Sequence, residues 1–311
     1  MAQSKPMNVL ILDEDYHQYQ QLLAAAGITA DAGANPVDFG DGYDVLLAQP
    51  DLAARYLRQG GKVPWIQSTW AGVDALVVEA RSAGVLVTGL KNIFGPQMAE
   101  YVFAYLLSEA RSLTFFRMQQ EANSWSPRPP KTLAGKSMGI LGTGTIGGHV
   151  ASVAKSFGMQ TVGISRSGAP VEYFDRVGPS GDMLELLRGS DVLVNTLPGT
   201  EQTQGVLSGK LLNVLAVDAT VFNLGRGHAL REDELRDWLE AHNNASAVLD
   251  VFAEEPLPAD HWLWQHSQVS ITPHISAVSF ADDVVRAFLA NFERRRQGIN
   301  LTHVVDLESG Y

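Results

Sequence analysis

"ILGTGTIGGHVASVAKSFGMQTVGISRSG", residues 140–168, decides the reading of the chain. It runs from an apolar strand through a glycine-rich turn into a helix and then a second strand. Within it, Gly142-Thr143-Gly144-Thr145-Ile146-Gly147 matches G-x-G-x-x-G. That hexapeptide alone is weak, but its place between strand and helix makes it specific. The first glycine permits a tight turn and the second lets the backbone approach a pyrophosphate at the helix N-terminus. The third lets helix and strand pack closely. Thr145 and Ile146, between the last two glycines, complete the cradle. The second strand, residues 160–164, ends in Ser165-Arg166-Ser167, where such units often carry Asp or Glu for a ribose hydroxyl. A carboxylate there would repel a 2′-phosphate. Arg166 instead offers a bidentate fork, and Ser165 and Ser167 offer hydroxyl donors. Charge-assisted bonds of roughly 1.5–3 kcal/mol each, partly offset by desolvation, would favour NADP over NAD by about ten- to several-hundred-fold. NADP is therefore the expected cofactor, with NAD as the alternative.

Outward from this unit, the chain alternates strand and helix patterns. Before it, Val9-Leu10-Ile11-Leu12, Val45-Leu46-Leu47-Ala48, Trp65-Ile66-Gln67 and Val85-Leu86-Val87-Thr88 read as short buried strands punctuated by Gly and Pro. Gly95-Pro96 opens one long helical pattern over residues 97–120, apolar around much of its circumference, which suits burial between domains or on a dimer face. A proline-rich connection follows at residues 123–136, then a second β-α series to about residue 272 and a last helix over residues 280–296. The expectation is an α/β protein with two Rossmann-like domains of parallel strands.

Composition narrows the partners. The 311 residues are 45% apolar and 18% charged, with a net charge of −11. Nucleic-acid and anionic-membrane surfaces select for basic faces, so neither partner is expected. No apolar run approaches the ~20 residues that span a bilayer, and no signal-peptide core is present near Met1. The absence of cysteine removes thiol chemistry and Cys-based metal sites, and it fits a cytoplasmic enzyme. The eight histidines show no metal-binding spacing, so no metal is expected. The aromatic "HWLWQH", residues 261–266, reads as packing around a short helix.

Three polar residues close strand-like runs downstream of the glycine turn: Arg226 in "VFNLGRGHAL", Glu255 in "AVLDVFAEEPLP" and His274 in "ITPHISA". Taken in order with "LAGKSMGILGTGTIG" and "LPGTEQT", these motifs make the chain resemble the D-isomer-specific 2-hydroxyacid dehydrogenase family. The Ser-Arg-Ser tip and "STWAGVD" resemble its glyoxylate/hydroxypyruvate reductase A branch. The resemblance covers nearly the whole chain and is strongest over residues 95–277. It implies a substrate domain over residues 1–95, rejoined by residues 278–311, an NAD(P)-binding domain over residues 96–277 and an active site in the inter-domain cleft.

It implies NADPH-dependent reduction of a small 2-keto acid such as glyoxylate or hydroxypyruvate, carried out by a homodimer. His274 is the implied proton donor, since imidazole titrates near neutral pH. Glu255 is its orienting carboxylate; Glu254 is a rival, but the family's Glu-Pro dipeptide selects the residue before Pro256. Arg226 is implied to hold the substrate carboxylate and carbonyl oxygen, with room left by Gly225 and Gly227. Leu197 and Pro198 of "LPGTEQT" are implied cofactor contacts. Asp250 resembles the family acid near the nicotinamide carboxamide, and a purely structural strand-end role is open beside it. The backbone amides of Trp70-Ala71-Gly72 are implied to grip the substrate carboxylate. Trp70 either walls the pocket against longer side chains or packs under the loop.

Each residue also has a bland reading: a turn arginine, a solvated loop acid, a half-buried histidine. Two other functions stay open as well. One is a non-catalytic NAD(P)-sensing regulator, against which the lack of added interaction segments weighs. The other is a same-fold dehydrogenase acting on a larger hydroxy acid, formate or phosphite.

Overall fold

The computed structural model describes residues 7–308, which divide into two compact units at Ile93/Phe94 and at Val278/Ser279. The first unit opens with β1 (Val9–Leu12), α1 (Tyr16–Ala25), β2 (Ala30–Gly33), β3 (Val45–Ala48), α2 (Pro50–Arg58), β4 (Trp65–Ser68), α3 (Val77–Ala83) and β5 (Leu86–Thr88). The five strands lie in the order β2-β1-β3-β4-β5, and all pair in parallel. "VLIL" and "VLLA" form β1 and β3 because unbroken apolar runs suit strands covered on both faces, and every residue of both is buried. β2 has no such run. Its Ala-Asp-Ala-Gly is tolerated because it pairs on one side only, at the sheet edge.

The second unit holds α4 (Gly95–Ala110), α5 (Leu113–Glu121), β6 (Ser137–Leu141), α6 (Thr145–Ser156), β7 (Gln160–Ser165), β8 (Arg176–Pro179), α7 (Met183–Leu186), β9 (Val192–Asn195), α8 (Gly209–Leu212), β10 (Thr220–Asn223), α9 (Glu232–Ala241), β11 (Ser246–Leu249) and β12 (Val269–Ile271). Its seven parallel strands run β12-β11-β10-β9-β6-β7-β8. The order reverses between β6 and β9, the switch point at which open α/β sheets bind ligands. One face of this sheet packs on α4 and α6 through Val102, Phe103, Val150, Ala151 and Phe222. α10 (Ala281–Arg296) then belongs to the first unit, where Asn291 on it bonds Gln67 at the end of β4's core.

One element departs from its expected form. The single helix expected over residues 97–120 is two helices, broken at Arg111 and Ser112. Ser112 adopts φ 52°, in the left-handed region, which ends the hydrogen-bond ladder of α4 before α5 begins. No Gly or Pro marks the break. α4 buries Ala99, Val102, Phe103, Leu106 and Ala110, whereas α5 buries nothing.

Candidate active site

The glycine turn is shaped by contacts that only glycine allows. Gly142, next after β6, has φ 98°, and a Cβ there would lie 2.8 Å from the Thr196 hydroxyl. A Cβ at Gly147 would lie 1.9 Å from the Gly142 carbonyl oxygen, so the start of α6 and the end of β6 touch backbone to backbone. Gly144 caps α6 without any side-chain partner, and Gly144 and Thr145 are exposed. The first amides of a twelve-residue helix are therefore open to an anion. β7 runs one residue further than expected and ends on Ser165. The Ser165 hydroxyl oxygen accepts from the Gly168 amide at 3.1 Å, and that of Ser167 accepts from Ala169 at 3.2 Å. Both hydroxyl protons stay available to a ligand, beside an exposed Arg166.

Across the switch point, Leu197 and Pro198 follow β9 and are half-buried. The Pro198 carbonyl accepts the Thr203 hydroxyl at 2.7 Å, which folds "PGTEQT" back on itself. Arg226 follows β10, is half-buried and donates from one guanidinium nitrogen to the Gly225 carbonyl at 2.8 Å. Both flanking glycines are obligatory for space. A Cβ on Gly225 would lie 2.4 Å from the Leu197 carbonyl oxygen, and one on Gly227 would lie 1.8 Å from the Phe252 carbonyl carbon.

The Gly227 contact joins the arginine turn to the loop after β11. There the Phe252 amide donates to Glu255 Oε1 at 2.8 Å, and Glu255 Oε2 takes Nδ1 of His274 at 2.9 Å. Nδ1 is thus the protonated ring nitrogen that faces the carboxylate. His274 Nε2 meets no hydrogen-bond partner among the described residues, and half of the side chain is exposed.

Asp250 builds the ground under His274. It is fully buried, and its Oδ1 accepts from the Thr272 hydroxyl and the Ile275 amide at 2.5 and 2.8 Å. Oδ2 accepts the Ser276 amide at 2.9 Å, and the Asp250 carbonyl accepts the His274 amide at 2.8 Å. These bonds hold His274 at φ 56°, a left-handed conformation uncommon for a non-glycine residue. These contacts give Asp250 a strand-end role. Tyr101 of α4 supports it from behind, its hydroxyl 2.6 Å from that of Thr272; burial pushes the phenol well above its ordinary value, so it stays neutral.

Asn195 and Asn223 go unmarked in the sequence reading, yet both are fully buried at strand ends. Asn195 Nδ2 donates to Asn223 Oδ1 at 2.9 Å, and Asn223 Nδ2 donates to the Arg226 carbonyl at 3.1 Å. Asn195 Oδ1 accepts the Leu197 amide at 3.2 Å. The pair ties the Leu197 turn to the arginine turn. A polar residue closing an otherwise apolar strand was the available signal.

In unit 1, the Trp70-Ala71-Gly72 segment follows β4. Trp70 and Ala71 are exposed, and Gly72 is half-buried. The "HWLWQH" segment forms a 3-10 turn, Trp262–Gln265, in which His261 pairs with Glu232 at 3.1 Å. No group of three His, Asp or Glu that could hold a metal ion occurs among the described residues, and no described helix is long and apolar enough to cross a membrane.

Along the carboxyl edge of the seven-stranded sheet, then, the order is fixed: Arg166 after β7, the glycine turn after β6, Leu197 after β9, Arg226 after β10, Glu255 beyond β11 and His274 beyond β12. An anion-binding turn at one end and an arginine, a carboxylate and an imidazole at the other define a dinucleotide-binding oxidoreductase of the doubly wound class. Residues 103–276 match the family model described as D-isomer specific 2-hydroxyacid dehydrogenase, NAD binding domain. The glyoxylate/hydroxypyruvate reductase A of Yersinia enterocolitica is 34% identical over 78% of this chain and 79% of its own. A crystal structure of a D-isomer specific 2-hydroxyacid dehydrogenase family protein from Aeromonas salmonicida is 38% identical, with a TM-score of 0.90 over 97% of this chain and 100% of its own. Another such dehydrogenase, from Xanthobacter autotrophicus in complex with NADPH and MES, is 26% identical with a TM-score of 0.84 over 99% of this chain and 100% of its own. The chain belongs to the D-isomer specific 2-hydroxyacid dehydrogenase family, beside its glyoxylate/hydroxypyruvate reductase A branch.

Proposed function

We propose that this enzyme reduces a small 2-keto acid, glyoxylate or hydroxypyruvate, to the 2-hydroxy acid with NADPH. The observation that carries the reading is the fixed Glu255–His274 pair beside the arginine turn, in the same sheet edge as an open glycine cradle. The cradle fits a dinucleotide. Backbone that would be blocked by any Cβ at Gly147 lies against α6, whose first amides carry no side-chain cap. Gly142, Gly144, Thr145, Ile146 and Gly147 would hold the pyrophosphate, and Ser165, Arg166 and Ser167 the 2′-phosphate. Leu197 and Pro198 would line the ring, and Asp250 would serve it by placing the His274 loop. NADPH held there would supply the hydride equivalent for the reduction.

The residues of the chain do the rest. Arg226 orients the substrate and polarises its carbonyl oxygen, where negative charge develops. Glu255 holds Nδ1–H of His274, so the ring is fixed and the opposite nitrogen, Nε2, delivers a proton to that oxygen. In unit 1 the Ala71 and Gly72 amides take the substrate carboxylate, and the indole of Trp70 limits the side chain to a short one. Unit 1 is thereby the substrate domain and unit 2 the cofactor domain, of an enzyme working in the cytoplasm. The exposed Leu113, Phe116, Met118 and Trp125 of α5 and the following arm form the face of a homodimer.

Steady-state turnover of a 2-keto acid panel with NADPH and NADH tests the reading. Glyoxylate or hydroxypyruvate is expected as best substrate, and Arg226→Ala and His274→Ala should each lower kcat/KM by at least 10²-fold. Turnover that survives both changes removes the mechanism. Trp70→Gly should admit longer 2-keto acids; unchanged selectivity removes the wall.

A further inference from the structure

Unit 1 contains a buried carboxylate that the proposed chemistry leaves unused. Asp13 follows β1 directly and is 2% exposed. Its Oδ1 accepts the Asp15 amide at 2.9 Å, and its Oδ2 accepts the hydroxyl of Thr69, 56 residues further along the chain, at 2.8 Å. Burial pushes the carboxyl above its ordinary value. The Asp15 amide and the Thr69 hydroxyl pull it back in part, and the charges of Asp15 and Glu14 raise it further. Burying such a group costs stability that an apolar residue would not, which makes what it holds worth tracing.

It holds the root of one loop. In this sheet the carboxyl end of β1 lies beside that of β3, and β3 beside β4. Thr69, just past β4, is pinned at two points: its amide donates to the Ala48 carbonyl on β3 at 2.9 Å, and its hydroxyl reaches beyond β3 to Asp13. Ser68 and Thr69 are both fully buried. The Ser68 hydroxyl closes the next turn, accepting the Trp70 amide at 3.0 Å and donating to the Trp70 carbonyl at 2.8 Å. The Trp70 amide is therefore occupied. The next two are not: among the described residues, the Ala71 and Gly72 amides donate to no protein acceptor. Two adjacent open N–H groups, carried on a root fixed to two other strands, make a small anion grip.

We infer that Asp13 is the positioning residue of this grip: through Thr69 it sets how the chain leaves β4, and so where the Ala71 and Gly72 N–H groups meet a 2-keto acid carboxylate. The inference rests on the carboxylate-gripping reading of the loop given above. It makes the role of Asp13 separable from chemistry. A carboxylate held equally in ground and transition states contributes to KM and leaves kcat unchanged, and a shift of about 1 Å in such a contact is enough to be measured.

The test is steady-state kinetics on the best 2-keto acid of the panel, with NADPH affinity followed by nucleotide fluorescence and folding by thermal melts. Asp13→Ala and Thr69→Val should each raise KM for the keto acid at least ten-fold, with kcat within three-fold and the NADPH Kd within two-fold of wild type. Asp13→Asn should keep KM within three-fold, because its carbonyl accepts the Asp15 amide while its NH2 donates to the Thr69 hydroxyl, which serves as acceptor as well as donor. Ala71→Pro deletes one N–H of the grip and should raise KM by itself. Where Asp13→Ala fails to fold, Thr69→Val breaks the same link from the other side. A KM within two-fold of wild type in the Thr69→Val enzyme, with Ala71→Pro impaired, overturns the role of Asp13 and leaves the grip standing. No change in Ala71→Pro removes the grip itself, and the role of Asp13 with it.

Discussion

Replacing Gly147 by alanine isolates the contact on which the cofactor cradle depends. Two effects compete. Alanine at a helix position is favoured over glycine by roughly 0.5–1 kcal/mol. Against this, the new methyl would stand 1.9 Å from the Gly142 carbonyl oxygen, where contacts under 3.0 Å essentially do not occur. Backbone on both sides is the obstacle, so the start of α6 and the turn after β6 must separate by about 1.1 Å to reach even that limit. Overpacking of this kind costs about 1–3 kcal/mol or more, so the clash outweighs the gain in propensity. The Tm should fall by several degrees, at about 2–4 °C per kcal/mol for a unit of this size. The same displacement carries the open amides of α6 away from the pyrophosphate, and NADPH affinity should drop at least ten-fold, about 1.4 kcal/mol.

Gly148→Ala is the matched control. It lies one residue on in the same helix, and a Cβ there would meet nothing within 4 Å. It should leave NADPH binding intact and raise the Tm slightly. Fluorescence titration and calorimetric melts read both variants. A folded Gly147→Ala enzyme that binds NADPH as tightly as wild type, or a Gly148→Ala enzyme damaged to the same extent, refutes the argument.

Three further outcomes follow from other parts of the molecule. If NADPH is the cofactor as proposed, Arg166→Ala should lower the ratio of NADPH to NADH efficiency about ten- to several-hundred-fold, since the exposed guanidinium is the proposed fork for its 2′-phosphate; an unchanged ratio removes Arg166 from cofactor selection. Trp125 is 98% exposed, and Trp125→Glu should shift the protein from dimer to monomer in light scattering; a monomeric wild type sinks the dimer. Asp13→Asn should raise the Tm at neutral pH. The Asp13 carboxyl ionises above its ordinary 3.8 in the folded chain, so between 3.8 and that raised value the native state holds the extra proton, and native stability falls as pH rises through this window. The gain from Asp13→Asn should therefore shrink as pH falls from 7 towards 4, and a difference in melts that stays constant or grows on going from pH 7 down to pH 4 contradicts the sign.

The sequence alone carried the class of fold and the order of the site. Strands such as Val9–Leu12 and Val45–Ala48 announce themselves because a parallel sheet covered on both faces demands unbroken apolar runs. The glycine turn was readable from its spacing between strand and helix, and Arg226, Glu255 and His274 stood out as polar residues closing strand-like runs, positions the topology places at successive strand ends; their roles came from the family resemblance. β2 escaped because an edge strand needs no apolar run, and the break at Ser112 escaped because a left-handed serine leaves no Gly or Pro behind.

What tertiary structure alone decided were the supports: Asp13 under Thr69, Asn195 against Asn223, Asp250 beneath His274. They join positions between 24 and 56 residues apart, the first two through one side-chain hydrogen bond each and Asp250 through four bonds to residues 272–276. Such partners are chosen by which strands lie side by side, so a buried Asp or Asn reveals its task only once the sheet has placed another strand's end next to it.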